Sequence, residues 1–124
     1  MANPNIVNVT NILGNNSLTD LSTTNATAIV SNAAASGKVY KINSIIVANT
    51  DGTDPYPVTI SVYSEDDIGG TAYEIASTVS VPADASVIIM DKNSSIYLKE
   101  DQSIGATAGT ASKLIVVASW EEIN

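Results

Sequence analysis

Three acidic clusters are the only groups in this chain that could move a proton or hold a hard cation: Asp51 with Asp54, Glu65 with Asp66 and Asp67, and Glu100 with Asp101. Oxygen-only ligands suit calcium, and the run Thr50-Asp51-Gly52-Thr53-Asp54 has a faint likeness to a calcium loop. It lacks the regular ligand spacing and the distant bidentate glutamate of such loops, so turn-forming, solubilising acid is the expected role and no metal is expected. A carboxylate pair for glycoside hydrolysis is made in space, not in sequence. One Trp, five Tyr and no Phe give little for a sugar to stack on. Gly69-Gly70 lies between two strand-like runs with no helix behind it, so it turns a hairpin and does not cradle a phosphate.

Composition removes most other chemistry. There is no cysteine and no histidine, which excludes disulfides, thiolate metal sites and the usual nucleophile–base pairs. No catalytic residue is nominated, no cofactor is expected, and the chain reads as a non-enzyme. All five basic residues are lysines, and with a net charge of −8 they cannot form the cationic track that nucleic acid requires. The same charge opposes docking on an anionic membrane. The start, MANPNIVNVTNILG, has no cationic segment and no long apolar run, so no export or membrane address is expected. The sequons at Asn8, Asn15, Asn25 and Asn93 read as chance in a chain so rich in Asn, Ser and Thr.

The elements that would position any site are strands. At 124 residues with 44% hydrophobic composition, the chain is expected to be one domain, residues 1–124, able to bury a core. Period-2 alternation dominates: in Val58 to Ser64 the apolar positions are Val58, Ile60 and Val62, and in Tyr73 to Val81 they are Tyr73, Ile75, Val79 and Val81. Turn residues punctuate these runs at Asp51-Gly52 with Asp54-Pro55, at Gly69-Gly70, at Pro82 to Ala85 and at Asp91 to Asn93. Further strands are expected at Asn5 to Ile12, Thr24 to Ser31, Val39 to Asn49, Ser86 to Met90, Ser95 to Leu98, Ser103 to Ala108 and Lys113 to Glu121. The expected fold is all-β, an antiparallel β-sandwich of eight or nine strands, jelly-roll-like. Gly14 to Asp20 reads as an Asn-rich linker, and residues 1–20 as an N-terminal arm or an edge strand able to pair with another chain.

Three strands are apolar on both faces: Ser44 to Ala48, Val87 to Met90 and Leu114 to Ala118. A small sandwich with wet outer faces does not need this, so either loops and the N-terminal segment cover them or a partner does. Strict alternation puts Ile45, Val47, Ile88, Met90, Ile115 and Val117 on the second faces, which nominates them as interface, together with Tyr63 on the polar face of its strand. Trp120 reads as a core residue or as an interface anchor.

The segments MANPNIVNVT, SGKVYKINSIIVANTDGT at 36 to 53, YEIASTVSVPADASVIIMDKNSSIYLKEDQSI at 73 to 104 and SWEEI at 119 to 123 carry a resemblance. In them the chain resembles small virion structural proteins of tailed bacteriophages, especially marine and cyanobacterial ones. The resemblance implies a β-sandwich subunit of a virion, assembled in the host cytoplasm: a capsid decoration (cement) protein that forms a homo-oligomer, a trimer first, on the major capsid lattice. A neck, tail or head-fibre-base module, and a carbohydrate-binding host-attachment module, are the alternatives. In SIYLKEDQSI, an acidic turn longer than a two-residue hairpin is expected to reverse the chain between two strands.

Overall fold

The computed structural model describes residues 4–124. Nine strands follow one another: β1 (Ile12–Asp20), β2 (Thr27–Asn32), β3 (Val39–Asn49), β4 (Tyr56–Tyr63), β5 (Ala72–Val81), β6 (Ser86–Met90), β7 (Ile96–Leu98), β8 (Gln102–Ala108) and β9 (Leu114–Ile123). They form two antiparallel sheets, one ordered β1-β9-β3-β6 with β7 also on β3, the other β2-β8-β4-β5. β6 and β7 are two halves of one strand. Both pair with β3, and a 3₁₀ turn at Lys92–Ser94 separates them, capped by the Asp91 side chain accepting from the Asn93 N–H. Counted so, each sheet has four strands in the order of a jelly roll, an architecture of two Greek keys facing each other.

Core residues from both sheets interdigitate: Leu21, Ile42, Ile45, Val47, Leu98, Leu114 and Val116 from one side, Val30, Val58, Ile60 and Ile104 from the other. Two buried asparagines clip the layers together at their ends. Asn32, at the end of β2, donates to the carbonyls of Lys38 (3.0 Å) and Leu98 (3.1 Å) and accepts from Ser36. Asn49, at the end of β3, donates to the carbonyls of Asp54 (2.9 Å) and Val81 (3.0 Å) and accepts from the Asp51 N–H. Each amide is fully used, as a polar group out of water must be.

Strand positions follow alternation and turn chemistry closely, with three corrections. Asn5 to Ile12 is not a strand: Asn5 closes a turn, its Oδ1 accepting from the Val7 N–H at 2.9 Å and its carbonyl from the Asn8 N–H at 3.2 Å, and strand begins only at Ile12. The stretch Gly14 to Asp20 is no linker: Ile12–Asp20 is an edge strand in unbroken register with β9, from Ile12 opposite Ile123 to Asp20 opposite Ile115. Asn, Gly and Ser have poor β-propensity, but an edge strand needs only its backbone to pair, and nine ladder positions outweigh weak side-chain preference. The turn Lys99 to Asp101 does not reverse the chain within one sheet. It carries the chain from β7 in one sheet to β8 in the other, with Asp101 at a positive φ of 60° and its N–H donating to the Asn32 carbonyl at 2.9 Å.

Bulges decide which residues face inward. In β3 the pairing with β9 skips Asn43, so Ile42 and Ile45 both enter the core although they are three apart. Between β3 and β6 the register skips Ile89, so Met90 lies opposite Ile45 on the core side and Ile88 opposite Ile46 on the outer side. Four of the nominated interface residues therefore belong to the core: Ile45 and Val47 are fully buried, as are Met90 and Trp120 apart from an edge. Strict alternation had placed the first three outside, and a single extra residue reverses that assignment. Trp120 stacks on Tyr40 with ring centroids 6.0 Å apart.

Candidate assembly surface

The outer face of the β1-β9-β3-β6 sheet gathers what the core leaves out. Residues directly opposite in an antiparallel ladder share a face. Leu18 is opposite Val117, Val117 opposite Ile46, and Ile46 opposite Ile88. The four form one apolar row across all four strands, about 14 Å long at the usual strand spacing. Leu18 and Ile88 end the row with 74% and 62% of their surface in water, while Val117 and Ile46 are half-buried between them. The adjoining row is Asp20, Ile115, Ala48 and Ser86, and the row on the other side is polar, Asn16, Ser119 and Ser44.

Of the nominated interface residues, the structure brings Ile88, Ile115 and Val117 together on this face. Tyr63 is elsewhere, on the outer side of the second sheet, where its ring and the Ile68 side chain lie over Gly105. Leu18 and Ile46 escaped the sequence reading. The signal for Ile46 was present: the polar residues Lys41 and Ser44 are three apart in β3, not two, which is the spacing a bulge produces.

On the core-facing side of the same sheet, an ionic cluster ties β1 to β9. The Glu122 carboxylate accepts from the Asn15 side-chain amide (2.8 Å), from Lys38 Nζ (3.1 Å) and from Trp120 Nε1 (3.2 Å). Burial pushes the Glu122 carboxyl up, and the three donors together outweigh it and hold it below its ordinary value. Lys38 is raised in turn, chiefly by its bond to Glu122. The cluster joins β1, β9 and the residue before β3, with the Glu122 side chain mostly covered and Lys38 38% exposed.

The remaining chemistry is structural. Asp51 Oδ1 accepts from the Thr53 and Asp54 N–H groups at 2.7 and 3.1 Å, and Oδ2 from Lys113 Nζ at 2.8 Å. The bonds from Lys113 and from those two N–H groups hold the Asp51 carboxyl far below the usual carboxylate range. The loop with a calcium-like sequence thus spends its aspartate on its own backbone and on a lysine. Asp66 and Asp101 meet at the other end, where Asp66 Oδ2 accepts from the Ala34 N–H and Asp101 Oδ1 from the Asp66 N–H. Among the described residues, no three acidic side chains come together as a metal site would require. A cleft of about 480 Å³ beside Val39, Val62 and Tyr97 offers one cation, Lys99, and one amide, Gln102, whose Oε1 is taken by the Lys99 N–H at 3.0 Å. Among the described residues, no helix is long and apolar enough to cross a membrane.

No protein-family model and no curated protein matches the chain. Among solved structures, it is similar to one from work on Bacillus endospore appendages, described as a novel family of disulfide-linked pili. The TM-score is 0.55 and the identity 22%, over 100% of this chain and 94% of that one. At that identity the likeness concerns the sandwich fold. Without cysteine, this chain cannot form the disulfide links of those pili.

Proposed function

We propose that this protein is a non-enzymatic structural subunit whose outer sheet face docks on other protein in a larger particle. The observation that carries the reading is the four-strand apolar row Leu18, Val117, Ile46 and Ile88, exposed at both ends and bordered by neutral side chains except for Asp20. Apolar surface of this kind is where binding energy is found, and a specific interface needs about 1,000 Å² or more in total. The resemblance of segments 36–53 and 73–104 to tailed-phage virion proteins supports a place on a virion: a capsid decoration protein, oligomeric with three copies as the first arrangement, seated on the major capsid lattice.

A second reading is a filament subunit, favoured by the fold likeness to an appendage described as a pilus. The two readings use the same face and differ in the partner. Co-sedimentation with purified capsids, together with electron microscopy of the concentrated protein alone, separates them. The decoration reading predicts capsid binding that Ile88→Asp abolishes and no filaments; filaments without capsid binding would replace it with the second reading.

A further inference from the structure

The four sheet edges are not alike. A free edge is normally blunted by bulges, proline, charge or a short length, because its unpaired backbone groups would otherwise pair with another chain. Here the β2 edge has a register break between Ala28 and Val30, the β5 edge has two breaks opposite β4, and the β6–β7 edge is interrupted by the 3₁₀ turn. β1 has none of these. Its nine positions run without a break, contain no proline, and carry one charge, Asp20.

The direction of its backbone groups follows from the end of the ladder. Asn11 and Asn124 exchange both backbone hydrogen bonds, at 2.9 and 3.0 Å. Odd-numbered residues of β1 therefore bond to β9, and the N–H and C=O groups of Ile12, Gly14, Asn16, Leu18 and Asp20 point away from the sheet. Two of these groups are already occupied locally: the Asn16 N–H donates to Asn15 Oδ1 at 2.8 Å and the Asp20 carbonyl accepts from Ser22 at 2.9 Å. The N–H groups of Ile12, Gly14 and Leu18 face outward.

We infer that β1 pairs antiparallel with β1 of a second copy, about a two-fold axis at Asn16, joining two sandwiches into one continuous sheet. The inference rests on the assembly reading and names the contact through which copies meet. A second copy fits because the strand is complementary to itself. With Asn16 opposite Asn16, Gly14 lies opposite Leu18 and Ile12 opposite Asp20, so the outward residues pair with one another across all nine positions, while the Asn16 N–H stays on Asn15 Oδ1. Leu18, the most exposed residue of the apolar row, then lies beside Gly14 of the partner copy, where a side-chain carbon would meet nothing within 4 Å. The pairing sets Asp20 beside Ile12 and not beside another Asp20. With Asp20 as its one charge, this strand also lets two chains of net charge −8 approach with little local repulsion. The two apolar rows become neighbours on one surface, doubling what the particle can contact. Species built through this edge have even copy numbers: two, or six where it joins a three-copy ring.

The absence of cysteine makes the test direct. A hydrogen-bonded antiparallel pair has a Cα separation of about 5.5 Å, within disulfide range. Asn16→Cys is expected to cross-link to dimer under mild oxidation, and Gly14→Cys alone to stay uncross-linked. A mixture of Gly14→Cys and Leu18→Cys chains is expected to cross-link. Hydrogen exchange of the unmodified protein is a second readout: the amides of Ile12, Gly14 and Leu18 become protected as concentration rises. If the unmodified protein forms oligomers while Asn16→Cys stays uncross-linked and those amides stay unprotected, the edge pairing is wrong and the assembly reading survives. A protein that is monomeric at every concentration overturns both. Equal cross-linking of Asn16→Cys and Gly14→Cys also overturns the proposed register.

Discussion

Asn15 on the edge strand donates its side-chain amide to the Glu122 carboxylate of β9 at 2.8 Å, inside a cluster that Lys38 and Trp120 complete. The edge strand is thus held by a side-chain bond as well as by its ladder. Replacing Asn15 by Ala removes a hydrogen bond to a charged group and is expected to cost about 1.5–3 kcal/mol. Hydrogen exchange should show β1 opening while β3 and β4 stay protected.

The same cluster sets an acid dependence. The folded-state value of Glu122 lies below its ordinary 4.5. Its contribution to stability is therefore complete at pH well above 4.5 and is lost as the pH falls through the lowered folded value. Glu122→Gln cannot titrate, so the stability gap between wild type and this variant is expected to be largest near neutrality and to shrink as the pH falls below 4.5. Thermal melts across that range check it, and a gap independent of pH would contradict it.

Gly105 in β8 faces a closed space. A side-chain carbon there would come within 2.8 Å of Tyr63 Cε1 and 2.9 Å of Ile68 Cγ2. Gly105→Ala is expected to displace both side chains and lower stability by about 1–3 kcal/mol, measured by urea denaturation.

The core and the outer face of β3 and β6 are separated by one residue of register. Ile45→Asp buries a charge among core side chains and is expected to abolish folding, whereas Ile88→Asp places a charge in water and leaves the melting temperature within a few degrees. Circular dichroism of the two variants tests the assignment. It was here that the sequence could not be read: Ile45, Val47 and Met90 alternate correctly within their own strands, and only the skipped Asn43 and Ile89 move them inward. The strands from Val39 to Glu121 were legible because Val, Ile and Tyr alternate between clear turn residues. β1 was not, because Gly14, Asn15, Asn16 and Ser17 give no alternation, and its strand exists only through pairing with β9 from the far end of the chain. The long apolar stretches in β3, β6 and β9 divide between the core, with Ile45, Val47, Met90, Leu114 and Val116, and the outer row of Ile46, Ile88 and Val117.

The Asp51 loop is expected to be indifferent to cations. Its carboxylate is already held by the Thr53 and Asp54 N–H groups and by Lys113, so millimolar calcium or EDTA should leave the melting temperature unchanged. A rise on adding calcium would show a site that these partners give up.

The central claim is that the apolar row is a protein-docking face, and mass determination by light scattering at several concentrations tests it most directly. The wild type is predicted to be oligomeric, with a mass that does not change with EDTA, and folded Ile88→Asp to fall to the two-copy edge pair or to single chains. A wild type that stays a single chain at every concentration, or an Ile88→Asp variant with the wild-type mass, would contradict the account.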